Sequence, residues 1–129
     1  MKTATKKIRL FISFDFIRDR VFKDFITGQV KHSDSPFEIV DTSAKDVPPE
    51  DEWIRHTESK IRNCDQVLIM VGPRTYRAPG VLKEVALAKK WNKPITQIVI
   101  YRANYYCRPV FGVGPLHQWD WENLKELLD

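Results

Sequence analysis

The stretch DQVLIMVGP, residues 65–73, decides the fold class of this chain. Its central run, Val67 to Val71, is apolar throughout, and the pair Gly72-Pro73 ends it. Continuous apolar runs of this length are typical of strands covered on both faces, as in parallel sheets. The stretch therefore predicts a buried strand inside an α/β domain.

Short apolar runs alternate with amphipathic stretches on both sides of this strand. The other predicted strands are Ile8–Phe14, Phe37–Val40 and Ile95–Tyr101, and the predicted helices are Arg18–Lys31, Pro48–Arg62, Gly80–Trp91 and Trp121–Leu128. Trp53 and Trp91 lie at helical spacing and are interpreted as core residues, and Asn92 is expected to cap its helix. Strands that alternate with helices form βαβ units. We expect one domain, residues 1–129, built as a three-layer α/β/α sandwich with a central parallel sheet of four to five strands.

Composition narrows the classes of function. With 43% hydrophobic and 29% charged residues, the 129-residue chain can bury one core without a metal or a disulfide. Its net charge of +4 is spread along the sequence, and no nucleic-acid-binding motif is found. No apolar run is long enough to span a bilayer, no signal peptide is seen, and the two cysteines lack a metal-binding pattern. We expect a cytoplasmic protein that holds no metal and binds neither nucleic acid nor membrane.

The fold class predicts where a ligand would bind. In open parallel sheets, ligands lie outside the carboxyl ends of the strands, at the point where the strand order reverses. The residues that follow the first three predicted strands are residues 13–16, 41–43 and 72–77. The candidate site is therefore expected at these three turns.

Glu84 breaks the pattern of its predicted helix. The residues one turn away are Gly80, Val81, Leu87 and Ala88, so that this glutamate stands in an apolar stripe. A carboxylate there must be paired, raised in pKa, or directed into a cleft. Polar exceptions to a hydrophobic pattern are expected at functional sites.

A structural role for Glu84 stays open beside the functional one. The carboxylate lies early in its helix and could interact with the helix dipole. It could also form a salt bridge with Arg74 or Arg77 in the preceding turn. Structural ion pairs perturb carboxylates as functional sites do.

Two segments carry a resemblance to a known family. RLFISFDFIRD, residues 9–19, looks like the opening strand and acidic turn of TIR domains. CDQVLIMVGPRTYRAPGVLKEVALAKKWNKPI, residues 64–95, looks like their later block, in which a strand, a turn and a glutamate-bearing helix follow one another. The chain resembles most specifically the TIR-like family DUF1863, which includes the Thoeris anti-phage proteins. The resemblance runs from about Ile8 to Ile100 and implies a flavodoxin-like fold.

The resemblance implies an activity and a set of site residues. Enzymatic TIR domains cleave the bond between nicotinamide and ribose in NAD, which is their substrate rather than a cofactor. Some of them convert the ADP-ribose product into a signalling nucleotide. The catalytic glutamate of the family matches Glu84. The implied substrate-binding residues are Ser13, Phe14 and Asp15 at the nicotinamide ribose, Asp41 and Ser43 in an Asp-x-Ser segment, and Arg74, Thr75 and Arg77 at a pyrophosphate.

The resemblance also implies partners and leaves alternatives. TIR domains often assemble with one another through their faces, and Thoeris proteins act with a separate effector. A non-catalytic signalling module and an enzyme similar to nucleoside deoxyribosyltransferases are the competing interpretations. The sequence departs from the family at residues 78–81, APGV, where many TIR domains carry a tryptophan. A receiver domain is disfavoured because the strand before Gly72 ends without an aspartate to phosphorylate.

Overall fold

The three-dimensional structure is a computed structural model that describes residues 7–15, 24, 27–28, 35–43, 50–99 and 107–128. The strands are β1 (Ile8–Ser13), β2 (Phe37–Thr42), β3 (Gln66–Val71), β4 (Ile95–Val99) and β5 (Leu116–Gln118). The helices are α1 (Glu50–Asn63), α2 (Pro79–Lys90) and α3 (Trp121–Leu128), and a 3₁₀ turn spans Thr75–Arg77. The predicted helix Arg18–Lys31 lies outside the described residues except for Asp24, Thr27 and Gly28, which are helical.

All five strands form one parallel sheet with the order β2-β1-β3-β4-β5. This order is that of flavodoxin-like folds, and it confirms the predicted α/β class and the parallel sheet. β5 was not predicted, because three residues with the sequence LHQ carry no apolar pattern. It adds to β4 at the sheet edge after the irregular segment that precedes Leu116.

Alternate side chains of the strands pack into two separate hydrophobic cores, one on each face of the sheet. Leu10 and Ile12 of β1 point to the face that α3 covers with Leu124 and Leu128. Phe11 points to the opposite face. That face is covered by α1 and α2, whose buried residues there are Ile61, Val81, Val85 and Ala88. Ser13 is two residues after Phe11, so period-two alternation directs its side chain toward α1 and α2.

The structure corrects the predicted start of α2, which was Gly80, and confirms the predicted cap after its end. Pro79 is the first residue of α2, where its missing N–H is not needed. Asn92 adopts a φ of 54°, and its N–H donates to Lys89 O, which confirms the predicted cap.

Trp91 is not a core residue, so that interpretation of the helical stripe is wrong. It is the C-cap of α2 and is 37% exposed, whereas Trp53 is buried as predicted. The Trp91 indole N–H donates to Glu58 (2.8 Å), and the Arg62 guanidinium lies 4.5 Å from the ring centre. At the end of α2 the ring packs against charged residues of α1 and α2 instead of the core.

Candidate functional site

The candidate site lies at the point where the strand order reverses. β1 pairs with β2 on one side and with β3 on the other, and all three run parallel. The connections that leave the carboxyl ends of β1 and β3 therefore open in different directions, which creates a crevice at this edge. Ser13 ends β1, and Ser43 directly follows β2.

Glu84 brings three elements together at this edge. The Ser13 hydroxyl donates a hydrogen bond to Glu84 Oε1 (2.7 Å). The Ser43 hydroxyl donates to the same oxygen (2.6 Å). One carboxylate oxygen of α2 thus joins the ends of β1 and β2.

Ser43 makes a second hydrogen bond that leaves its proton available to Glu84. The Phe14 backbone N–H donates to Ser43 Oγ (3.1 Å). An ionised carboxylate only accepts hydrogen bonds, so Ser43 directs its single proton to Glu84 and accepts from Phe14 with one of its two lone pairs. Oε1 of Glu84 therefore acts as an acceptor for both serines.

A β-bulge places Ser43 on the correct face. Leu10 pairs with Ile39, but Phe11 pairs with Asp41, so Val40 is an extra residue in β2. Regular alternation from Phe37 and Ile39 would put Ser43 on the face covered by α3. The extra residue reverses the alternation and turns Ser43 toward Glu84.

α2 presents Glu84 from its buried side. Val81, Val85 and Ala88 pack into the core on the face that α1 and α2 cover. Glu84 lies among them in α2, with 2% of its surface exposed. The two arginines of the preceding turn, Arg74 and Arg77, are both exposed, and neither pairs with Glu84 among the described residues. The predicted alternative of a salt bridge is therefore not seen there.

Burial raises the pKa of Glu84 to about 7, because the charged form loses its solvation. The hydrogen bonds from Ser43 and Ser13 lower the pKa, as does the positive charge of Lys60, but burial outweighs them. A carboxyl with this pKa is present in both protonation states near neutral pH. It is suited to stabilise positive charge or to exchange a proton.

The two oxygens of Glu84 are in different environments. Both serine hydroxyls bond to Oε1, and no hydrogen bond to Oε2 is found among the described residues. No fully enclosed side-chain oxygen or nitrogen lacks a partner in that part of the chain. Oε2 is therefore not sealed inside the core, although the side chain as a whole is buried.

The other residues predicted near β1 and β2 are placed differently from Ser13 and Ser43. The Phe14 side chain packs into the core on the α3 face, so that only its backbone N–H belongs to this site. Asp15 follows at the end of β1 and is buried. Asp41 is in register with Phe11 in β2, and its side chain lies outside the described residues.

In the turn after β3, Thr75 is buried and has a structural role, whereas Arg74 and Arg77 are exposed. The Thr75 side chain is completely buried, and its hydroxyl accepts the Gly72 N–H (2.7 Å), which holds the turn closed. Arg74 and Arg77 are exposed and remain accessible to an anion. The roles predicted for Arg74, Thr75 and Arg77 in binding a pyrophosphate stay predictions.

One residue near this turn, Arg108, was not predicted from the sequence. The guanidinium groups of Arg77 and Arg108 lie 5.8 Å and 5.3 Å from the centre of the Tyr76 ring. Arg108 comes from the segment between β4 and β5, where the sequence shows no pattern that could have identified it. Two cations beside one aromatic ring form a basic patch next to the start of α2.

A buried glutamine anchors the segment that carries Arg108. Gln97 of β4 accepts the Val110 N–H (2.8 Å) and donates to Gly114 O (2.7 Å) and to Val110 O (3.3 Å). Gln97 is completely buried, and these bonds fix an irregular segment against the sheet. The positions of Val110 and Gly114 are therefore set by a buried side chain of β4.

No group of three or more His, Cys, Asp or Glu side chains in the described part of the chain could hold a metal ion. Among the same residues, no helix has both the length and the apolar character needed to cross a bilayer.

A protein-family model matches most of the chain. The family is described as Thoeris protein ThsB, TIR-like domain, and the match covers residues 11–105. It includes Ser13, Ser43, the turn after β3 and Glu84. No curated protein shows significant sequence similarity to the chain.

Three solved structures show a similar fold. A prokaryotic SEFIR domain has a TM-score of 0.56 at 17% identity, over 95% of this chain and 90% of that chain. A 2-desoxiribosyltransferase from Leishmania mexicana has a TM-score of 0.53 at 14% identity, over 84% and 82%. The CMP N-glycosidase BcmB from Clostridium botulinum has a TM-score of 0.51 at 20% identity, over 93% and 94%.

Proposed function

The chain belongs to the Thoeris ThsB family of TIR-like domains, and on that premise we propose that it cleaves the N-glycosidic bond of NAD. The bond is the one between nicotinamide and ribose, and the enzyme acts as a glycohydrolase or an ADP-ribosyl cyclase. Glu84 is the catalytic carboxylate. The observation that carries the proposal is the carboxyl of Glu84, with a pKa raised to about 7, at the carboxyl ends of β1 and β2.

The proposed chemistry assigns a definite task to Glu84. When the bond from ribose C1′ to the nicotinamide nitrogen breaks, its electrons leave with nicotinamide, which becomes neutral. The ribose is left as an oxocarbenium ion, and an ionised Glu84 stabilises that positive charge. A water molecule or an internal nucleophile of the product then forms the new bond to C1′. Glu84 accepts the proton that the nucleophile releases.

The names of two similar structures support a reaction at a glycosidic bond. One is a CMP N-glycosidase and the other a 2-desoxiribosyltransferase, each on a similar α/β fold. At 20% identity and below, these likenesses extend to the fold, and the substrate of this chain is a separate part of the proposal. We choose NAD because the family is TIR-like.

Arg77 and Arg108 are proposed to bind the pyrophosphate of NAD. Both guanidinium groups carry fixed positive charge, and guanidinium groups recognise phosphate oxygens with paired hydrogen bonds. The patch that they form with Tyr76 lies in the turn that leads into α2. Glu84 follows Pro79 by about 8 Å along the helix axis, which a nucleotide can span.

The product is proposed to act as a signalling nucleotide in anti-phage defence. This part of the proposal rests on membership in the Thoeris family. A separate effector protein would bind the product, and self-association through the faces of the domain would control turnover. Mass spectrometry of the reaction mixture would identify the product, and ADP-ribose as the sole product would contradict the cyclase branch.

The burial of Glu84 favours a second candidate function. A carboxylate with 2% exposure that joins β1, β2 and α2 could serve as a structural crosslink in a non-catalytic signalling module. An enzyme similar to deoxyribosyltransferases is the further alternative, and it would act on nucleosides instead of NAD.

Release of nicotinamide from NAD tests the proposal. The purified chain is incubated with NAD at high protein concentration, and nicotinamide is measured by chromatography. Glu84→Gln is expected to lower turnover by about a hundredfold or more, while Glu58→Gln on the surface of α1 leaves it unchanged. Folding of both variants is verified by circular dichroism.

The same assay separates the alternatives. Deoxynucleosides and CMP are tested in parallel with NAD. Cleavage of a nucleoside but not of NAD would identify the transferase-like enzyme. Absence of turnover on every substrate, by a folded wild-type chain, would overturn the proposal in favour of the signalling module.

A further inference from the structure

The two oxygens of the Glu84 carboxylate are not equivalent, and the reason is the arrangement of the serines. Ser13 and Ser43 come from different strands, yet both donate to Oε1, at 2.7 Å and 2.6 Å. Toward an ionised Glu84, which only accepts, Ser43 must donate, and one of its two lone pairs remains for the Phe14 N–H. An oxygen that accepts two hydroxyl protons has little remaining capacity for a substrate.

We propose that Ser13 and Ser43 are positioning residues that occupy Oε1, so that Oε2 is the carboxylate oxygen that meets the sugar of the substrate. The inference rests on the proposed function and deepens it. It changes the part expected of both serines, since they hold the catalytic group instead of contacting the substrate themselves. It also assigns the exchangeable proton of the protonated form to Oε2, because Oε1 faces two donors.

The geometry gives the serines a second effect on the reaction. Both hydrogen bonds favour the ionised form of Glu84 over the protonated form. Lys60 also favours the ionised form through its charge, and burial opposes all three. Among the described residues, these are the groups that set the charge of the carboxyl. Loss of one serine hydroxyl therefore makes ionisation harder without removing the carboxylate.

The pH profile of turnover distinguishes a positioning role from a merely structural one. In Ser43→Ala and Ser13→Ala, we expect the rising limb of kcat/KM to move to higher pH by about one pH unit. Turnover at pH 7 would fall several-fold and would recover largely at pH 9. Ser43→Thr, which keeps the hydroxyl, is expected to restore the wild-type profile. A profile that stays at the wild-type position in both alanine variants would overturn the proposal.

Ser35 provides a matched control. It is a buried serine that precedes β2, and its hydroxyl bonds to the backbone of Phe37 and not to Glu84. Ser35→Ala is expected to lower stability without moving the pH profile. A shift of the profile in this variant as large as in Ser43→Ala would mean that any loss of packing at β2 produces the effect, and the proposal would fail.

A measurement that needs no turnover separates this inference from the proposed function. Carbon-13 NMR of the Glu84 carboxyl follows its titration directly in the wild-type chain and in Ser13→Ala and Ser43→Ala. A higher pKa of Glu84 in the variants supports the positioning role even if no substrate is cleaved. Unchanged titration of both variants would contradict it even if NAD is cleaved.

The assignment of Oε2 is tested by a crystal structure with ADP-ribose, the proposed product. We expect a ribose oxygen or C1′ to lie nearest to Oε2, with both serine hydrogen bonds to Oε1 kept. A ribose that displaces Ser13 or Ser43 and contacts Oε1 would overturn the assignment.

Discussion

Ser43 lies beside Ser13 on the face of the sheet that α1 and α2 cover, although regular alternation along β2 would turn it to the opposite face. The extra residue Val40 accounts for the change, because Leu10 pairs with Ile39 and Phe11 with Asp41. Both hydroxyls then reach one oxygen of Glu84. The site thus depends on an irregularity in strand pairing as much as on the residues themselves.

The raised pKa of Glu84 predicts how activity depends on pH. The ionised carboxylate is the active form, because nicotinamide leaves without needing a proton. We expect kcat/KM for NAD to rise with pH through an apparent pKa of about 7, that of the free enzyme. The rise of kcat should occur at lower pH, since the cationic nicotinamide of bound NAD favours an ionised neighbour. Rates that fall between pH 6 and 8 would contradict this role.

The same carboxyl predicts how folding stability depends on pH. Its pKa is about 7 in the folded state and 4.5 as the unperturbed value, so that between these values the folded chain binds more protons than the unfolded one. Stability therefore falls as the pH rises from 4.5 to 7 and stays lower above that. Glu84→Gln removes the buried charge and should raise the free energy of unfolding at pH 8 by up to about 3 kcal/mol, with little change at pH 5.

Urea unfolding at pH 5 and pH 8 measures this effect. Glu58→Gln is the control, because the hydrogen bond from Lys90 first, and then that from Trp91, hold the pKa of Glu58 below 4.5. Its charge does not change between pH 5 and 8, so that the variant should keep the pH dependence of the wild type. A Glu84→Gln variant with that same dependence would show that Glu84 is not the group that titrates.

The basic patch around Tyr76 predicts an effect on substrate binding. Arg77→Ala and Arg108→Ala are each expected to raise KM for NAD about tenfold with little change in kcat, since an anion contact acts on substrate and transition state alike. Nicotinamide riboside, which lacks the pyrophosphate, should be cleaved equally by wild type and variants. Arg62→Ala, at the end of α1 beside Trp91, is the control. Equal KM values for NAD in wild type and both variants would exclude the patch from binding.

Replacement of Gln97 is expected to lower stability strongly, although Gln97 makes no contact with Glu84 among the described residues. Gln97→Leu leaves the Val110 N–H and the carbonyl groups of Val110 and Gly114 without their buried partner. We expect a loss of about 2–4 kcal/mol in the free energy of unfolding. Hydrogen exchange should also accelerate across residues 107–114.

Gln118 provides the comparison for this variant. It is exposed, and its side-chain nitrogen donates to Val99 O (3.1 Å). Gln118→Leu should lower stability by less than about 1 kcal/mol. Equal losses in the two variants would mean that the buried network does not hold the segment.

The backbone conformation of Asn92 predicts that its alanine and glycine variants differ in stability. Its φ of 54° lies in the left-handed region, which asparagine and glycine adopt more easily than alanine. Asn92→Ala should lower the free energy of unfolding by about 1 kcal/mol, and Asn92→Gly should change it by a few tenths at most. Thermal unfolding of the two variants beside the wild type measures the difference. Equal stability of both variants would contradict the cap.

Much of the fold could be predicted because its signals are local. The apolar run at Val67–Val71 predicted a buried strand, and the exception at Glu84 in an apolar stripe predicted a carboxyl in special surroundings. Ser13 and Ser43 were expected near the site because parallel strands end at one edge. Their contact with Glu84, and not with a ligand alone, depends on distances that no local pattern contains.

The parts that were missed depend on tertiary contacts. The bulge at Val40 leaves no mark in a short strand, and β5 has too few residues for a periodic signal. Trp91 follows helical spacing, but it lies at the exposed end of α2 and stacks with Arg62. Arg108 lies beside Tyr76 in a segment that Gln97 binds through Val110, a contact between distant parts of the chain.

Glu84 receives its hydrogen bonds from serines that are 71 and 41 positions away in the chain. None of the three segments can reproduce the arrangement alone. A fragment that stops before α2 would contain Ser13 and Ser43 but lack the carboxylate to which they donate. The raised pKa of the carboxyl requires the folded chain, because burial is its cause. An incompletely folded copy therefore carries an ordinary, fully ionised glutamate at neutral pH, and on the proposed mechanism it would be inert toward the cell's dinucleotide pool.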